Sequence, residues 1–254
     1  MSLEQTSEAI WKLHQSGVHF PEPWVGKLSL DEAYRVQQEI LKRKLGQGSK
    51  QAGWKVGLSA TVARDMFGAQ SPVFGYLLES NRHRSGHSFA LAGMTNPLVE
   101  SEVLVVLGKD LAGPNVTPEM ARAAVKEIAP AFEIIERRGD MRVDLPLGVA
   151  DNVMQKEFVV GPARPLTPGE DLGEVRVEVW INGKMADSVL GREAMDNPIH
   201  SLAWLANSVH RFGGALKAGQ CILTGTFTKP NAVSPGDRIE SRFSGLGTVS
   251  ASFK

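Results

Sequence analysis

The sequence predicts an α+β protein, with helices flanking a β-rich body rather than alternating with parallel strands. Capped helices begin near Ser29, Thr117 and Asn197, short alternating strands crowd the C-terminal half, and Asn182-Gly183 supplies a strong hairpin signal among them. A chain of 254 residues can bury a sizeable core. The expected division is a helical and α/β region over residues 1–90 and a β-rich domain over 91–254.

The elements follow in order. Ser29-Leu-Asp-Glu32 reads as a capping box, with apolar spacing through Ala33, Val36, Ile40 and Leu41 and a stop at Gly46. Gly53-Trp-Lys-Val-Gly57 is a short segment bracketed by glycine, and Leu98–Leu107 is an apolar strand interrupted by two acids. Thr117-Pro118-Glu119 places an N-cap before Pro at the first helical position. That helix is expected to run through Ala121, Ala124, Val125 and Ile128 toward Pro130. Pro130–Ile135 then has strand-like composition. Val175–Ile181 alternates into the Asn182-Gly183 turn, and Asn197-Pro198 opens a helix through Leu202, Leu205 and Val209 that ends at Gly213-Gly214. Short strands at 222–225, 237–243 and 249–253 close the chain, one preceded by the turn Ser234-Pro-Gly-Asp237.

Composition excludes several classes. Lys plus Arg equals Asp plus Glu at 28 each, so no electrostatic footprint for nucleic acid or an anionic membrane exists. No apolar run reaches transmembrane length, and Met1-Ser-Leu-Glu-Gln5 lacks a signal-peptide pattern, so a cytoplasmic protein is expected. The single Cys221 rules out an internal disulfide and reads as a small core residue. Neither G-x-G-x-x-G nor G-x4-G-K-S/T is present, and no G-x-S-x-G elbow occurs, which argues against nucleotide cofactors and serine hydrolysis.

Glu100 and Glu102 are the most informative residues. Two apart in a strand, they share one face at roughly 7 Å between Cα atoms. Like charges flanked by Val and Leu need compensation by a cation, by donors or by protonation. Glu133, alone in another apolar run, is a third acid of the same kind. Three carboxylates suit Mg²⁺ or Mn²⁺ better than Zn²⁺. The alternative is a sheet face that meets water. Lys55, between glycines and beside Trp54, could face a cavity and stabilise developing negative charge, or could be a surface lysine at a strand end. Leu223-Thr-Gly-Thr226 could offer donors to a carboxylate, or end an ordinary turn. His83 and His87 are separated by Ser85-Gly86, which spoils a zinc pair. Glu136–Arg142 reads as a solvated charged loop.

Together, Gly53-Trp-Lys-Val-Gly-Leu58, Ser71-Pro-Val-Phe-Gly75, Val99-Glu-Ser-Glu102, Pro130-Ala-Phe-Glu133, Val149-Ala-Asp-Asn152, Leu223-Thr-Gly-Thr226 and Gly245-Leu-Gly-Thr-Val-Ser250 resemble the fumarylacetoacetate hydrolase superfamily. Within it the resemblance is to the 2-keto-4-pentenoate hydratase and 4-oxalocrotonate decarboxylase group of aromatic catabolism. It implies a mixed β-sheet roll with flanking helices, and Mg²⁺ or Mn²⁺ held by Glu100, Glu102 and Glu133. It also implies a catalytic Lys55 and substrate contacts at Thr226, Val73 and Asp151. The expected activity is water addition to 2-hydroxy-2,4-dienoates, with 2-oxo-3-enedioate decarboxylation as the alternative. The expected partners are a small 2-oxo acid and further copies of the chain, or a companion hydratase or decarboxylase for which this chain is a non-catalytic subunit. Two departures bear on the branch. Val73 stands where hydratases of the group usually carry Asp, and Val153-Met-Gln-Lys-Glu157 follow Asn152 where the family tends to small residues, a change expected to narrow or recharge the substrate pocket. C–C hydrolysis in this superfamily uses a further Glu–His pair on an N-terminal lid, and no such pair stands out.

Overall fold

The computed structural model describes residues 1–195 and 197–254. Two helices come first: α1 (Leu3–Gln15) and α2 (Leu30–Gly46), each opened by a reciprocal capping box, Ser2 with Gln5 and Ser29 with Glu32. Only the second was expected, although Ser2-Leu-Glu-Gln5 carries the same signal. Next come β1 (Gln51–Gly57), α3 (Thr61–Phe67), β2 (Val73–Leu78), β3 (Arg82–Arg84), β4 (His87–Phe89) and β5 (Pro97–Leu107). Then follow α4 (Pro118–Ala124), β6 (Val125–Glu136), α5 (Leu145–Ala150), β7 (Gln155–Val160), β8 (Arg164–Pro165), β9 (Arg176–Ile181) and β10 (Lys184–Leu190). The chain ends with α6 (Gly191–Ala194), α7 (Pro198–His210), β11 (Cys221–Thr226), β12 (Asn231–Ala232), β13 (Arg238–Phe243) and β14 (Gly247–Phe253).

The helix at Thr117 is shorter than its pattern suggests. It stops at Ala124, and Val125 to Glu136 form a strand paired with β5 along its length. Pro130 lies inside that strand. Its carbonyl accepts from Gly161 N at 2.8 Å, and a strand residue directs N–H and C=O to the same side. The missing donor therefore faces the gap between β7 and β8 rather than β5, which is how a central strand tolerates proline here.

The strands form a mixed nine-stranded sheet, ordered β2-β1-β11-β5-β6-β7-β3 with β12 on β5 and β8 on β6, and a five-stranded sheet ordered β10-β9-β13-β14-β4. This is an α+β architecture, as expected. The boundary proposed near residue 90 is crossed by both sheets, since β1 pairs with β11 and β4 with β14. The Asn182-Gly183 hairpin joins β9 to β10 as its signal implies. Ser101 Oγ and Ser241 Oγ meet at 2.9 Å between the sheets. An aromatic group of Tyr34, Trp54, Phe74, Trp204 and Phe212 packs α2 and α7 onto β1 and β2. Among the described residues no helix is long and apolar enough to cross a membrane.

Candidate metal centre

The β5–β6 register sets Glu100 directly opposite Glu133 and Glu102 opposite Ala131. Alternation turns Ser101 to the other face and leaves the three glutamates on one side. Carboxylate oxygens of Glu100, Glu102 and Glu133 lie within 4.8 Å of one another, and Glu102 and Glu133 are fully buried. The face that meets water, the alternative for these acids, is thus not what the fold builds.

Burial penalises all three charges, and repulsion adds to it. Burial and then the Glu133 charge push the Glu100 carboxyl up to about 7. Glu102 is raised well above the usual carboxylate range by burial, then by Glu133 and Glu100. Burial raises Glu133 as well, although Lys55 opposes it. Among the described residues Glu102 Oε1 has no hydrogen-bond partner, and Glu133 Oε1 has only the Lys55 ammonium beside it, out of hydrogen-bonding geometry. Unsatisfied, mutually repelling buried carboxylate oxygens fit a hard divalent cation such as Mg²⁺ or Mn²⁺, and the all-oxygen set is poor for Zn²⁺.

Lys55 reaches this group from β1. Its Nζ lies 3.1 Å from Glu133 Oε1, and the residue is 2% exposed. Trp54, pointing the other way, is buried among the aromatics, so the strand alternates between core and site. Glycine explains how β1 gets there: a Cβ on Gly53 would sit 1.8 Å from the Cys221 carbonyl oxygen, so only glycine lets β1 lie against β11.

From β11, Gly225 N donates to Glu102 Oε2 at 2.8 Å. Gly225 has φ +111°, and a Cβ there would strike Ser59 Oγ at 2.2 Å. Ser59 was not singled out in the sequence, since one serine in Leu58-Ser-Ala60 carries no spacing signal. Thr226 pairs with Glu102 in register, and its hydroxyl donates to the Thr228 carbonyl at 2.8 Å. Val73 is fully buried on the Lys55 side of β2: a methyl placed on Gly57 would lie 3.3 Å from Val73 Cγ2 and 3.6 Å from Lys55 Nζ.

Asp151 goes elsewhere. Its carboxylate meets Arg138 and His19, each at 2.7 Å, in a cluster separate from the glutamates. Burial raises it, but the His19 hydrogen bond and the Arg138 charge outweigh that and leave Asp151 below its ordinary value. The expectation of a solvated loop at Glu136–Arg142 is corrected here. Glu136 and Arg138 are buried and paired at 2.9 Å, and the exposed pair is Asp140 with Arg142. Charge runs hide such inward pairs because no apolar neighbour marks them. His83 and His87 stack at 3.9 Å, with His83 Nε2 3.0 Å from Glu157.

The model of the fumarylacetoacetate (FAA) hydrolase C-terminal family matches residues 58–254. The chain is 33% identical over 230 residues to 2-hydroxyhexa-2,4-dienoate hydratase of Comamonas testosteroni, covering 89% of this chain and 87% of that protein. It is 31% identical over 242 residues to 4-oxalocrotonate decarboxylase of Pseudomonas putida, covering 95% and 90%. The structure of 4-oxalocrotonate decarboxylase from Pseudomonas putida G7 with magnesium and adipate superposes with a TM-score of 0.92 at 30% identity, covering 100% of this chain and 99% of that one. Fumarylpyruvate hydrolase from Pseudomonas aeruginosa, at 19% identity and TM-score 0.62, shares the fold. By its fold, its length-wide kinship and the collinear match, the chain belongs to the fumarylacetoacetate hydrolase family.

Proposed function

We propose that the protein is a divalent-metal-dependent lyase on 2-oxo-alkenoates, adding water to 2-hydroxy-2,4-dienoates. The observation that carries this is a buried carboxylate triad with a buried lysine against it. Its relatives, hydratases and decarboxylases of such acids, support the substrate class.

Glu100, Glu102 and Glu133 would hold the divalent cation, which would supply Lewis acidity toward a 2-oxo acid. The protein's own groups do the rest. Gly225 N–H fixes Glu102 by its Oε2 and leaves Oε1 free for ligation. Lys55, tied to Glu133, keeps a positive charge beside the triad where charge develops on the substrate, and can hold and return a proton. Val73 and Val153, both buried, lie beside Gly57 on the side of the strand from which Lys55 projects.

Decarboxylation is the second reading, and Val73 favours it. Hydration at C4 needs a group that deprotonates water, and a valine cannot serve, whereas loss of CO₂ from a 2-oxo-3-enedioate needs none. The test is to incubate the protein and Mg²⁺ with 2-hydroxypenta-2,4-dienoate and, separately, with 2-oxo-3-hexenedioate, and identify the products. We expect 4-hydroxy-2-oxopentanoate from the first. Consumption of the second alone would establish the decarboxylase, and consumption of neither would overturn the lyase reading. In the same assay Val73→Asp should raise hydration relative to decarboxylation; robust hydration that the change leaves flat or lowers would show that position 73 does not set the branch.

A further inference from the structure

Buried Asp151, the Arg138 side chain and half-buried His19 form a polar cluster that the proposed chemistry leaves unused. Asp151 follows α5. Arg138 Nε donates to its Oδ2 at 2.7 Å, Arg138 Nη2 donates to its carbonyl at 3.1 Å, and His19 Nδ1, from the segment between α1 and α2, donates to its Oδ1 at 2.7 Å. The His14 ring stacks on His19 with centroids 5.0 Å apart. His14, His19 and Asp151 are close enough to share an ion. Yet the Arg138 guanidinium, shared between Asp151 and Glu136, already sits on the second oxygen of Asp151, and its positive charge opposes a dication there. The cluster is built as a clamp.

What it clamps is strained. Asn152, Val153 and Met154 all have positive φ, at +57°, +52° and +60°. For a β-branched residue this is a costly conformation, which persists only where its surroundings over-determine it. Asn152 Oδ1 accepts from Tyr76 N at 2.7 Å and its Nδ2 donates to Tyr76 O at 3.0 Å, gripping the outer edge of β2. The turn thus wraps that edge and brings Val153 to the Lys55 side. The methyl position on Gly57 that lies 3.6 Å from Lys55 Nζ is 3.1 Å from Val153 Cγ1.

We propose that Asp151, held by Arg138 and His19, is a positioning residue that locks the left-handed turn, so that Val153 stays beside Gly57 on the Lys55 side and fixes the room left for a substrate's carbon chain. This rests on the 2-oxo acid reading above. Its test is binding rather than turnover: calorimetry of pyruvate and of 2-oxohexanoate on the Mg²⁺-loaded protein, for the unmodified chain, Val153→Gly, Asp151→Asn and His19→Gln. Glycine accepts positive φ, so Val153→Gly removes the wall without unfolding the turn. The ratio of 2-oxohexanoate to pyruvate affinity should rise at least about tenfold in Val153→Gly and Asp151→Asn, as expected for one or more methylenes gaining space, with Mg²⁺ affinity retained. His19→Gln, at a more exposed position, should shift the ratio the same way by less, and it reports on the clamp should Asp151→Asn fail to fold. A ratio unmoved in Val153→Gly overturns the wall. A ratio moved there but flat in both clamp variants overturns the positioning role. Pyruvate that does not bind the unmodified protein overturns the 2-oxo acid reading itself, and the proposal with it.

Discussion

The two faces of the β5–β6 ladder have opposite uses. On one, Val99, Val103 and Val105 with Ile128, Phe132 and Ile134 join the main apolar core. On the other, Leu104, Ala129 and Ala131 belong to a smaller cluster with Leu223 and Phe158, and among them stand Glu100, Glu102 and Glu133. Both faces are largely buried, with Glu100 the one half-buried glutamate of the three, but only one uses the low polarity to make charge expensive. The difference teaches that a second core can be a reaction medium: an apolar lining strengthens every electrostatic contact inside it.

The comparison predicts separable losses. Glu102→Gln should remove Mg²⁺ binding in calorimetry and cut turnover by about 10³-fold or more, several kcal/mol of charge stabilisation, while leaving the main core folded. Metal affinity equal to that of the unmodified protein would dissolve the distinction between the faces. Phe74→Ala, in the aromatic group against Tyr34, should do the reverse. It should cost about 3–5 kcal/mol in denaturant unfolding with Mg²⁺ affinity intact.

Lys55→Met sharpens the contrast within one strand. We expect kcat to fall at least about 10²-fold with metal still bound, because the lysine serves the reaction rather than packing. Near-normal turnover would return Lys55 to a structural pairing with Glu133. The smallest effect is on pH. Folded Glu100 is raised to about 7, so in the metal-free protein its stabilising contribution is full below the ordinary carboxylate range and is lost as pH rises through about 7. A dication displaces the same protons. The melting-temperature rise on adding Mg²⁺ should therefore grow between about pH 5 and pH 8, and a rise independent of pH would mean the metal binds elsewhere.

Much of this was legible in the sequence where the signal was local. The Ser29-Leu-Asp-Glu32 box, the Asn182-Gly183 hairpin and the period-two placement of Glu100 and Glu102 each need only a few neighbours, and the structure realises each. Extending the helix at Thr117 to Ile128 failed because Ala121–Ile128 satisfies a helical period as well as a strand, and pairing with β5 decides between them. The Arg138–Asp151–His19 cluster was unreadable for another reason. Its members lie 13 and 132 residues apart in sequence and share no motif, so only the fold makes them neighbours.

Distance along the chain also sets when the metal centre can exist. The hydrogen bond from Gly225 to Glu102 closes a loop of 123 residues, and Lys55 owes its place to the pairing of β1 with β11. Closing such loops is slow and rewards nothing until both ends have arrived. A chain emerging during synthesis holds all three glutamates well before β11 appears, and β11 carries the groups that orient Glu102 and hold β1, with Lys55, beside the triad. Capture of a cation in its final geometry therefore waits on the pairing of β11 with β1 and β5.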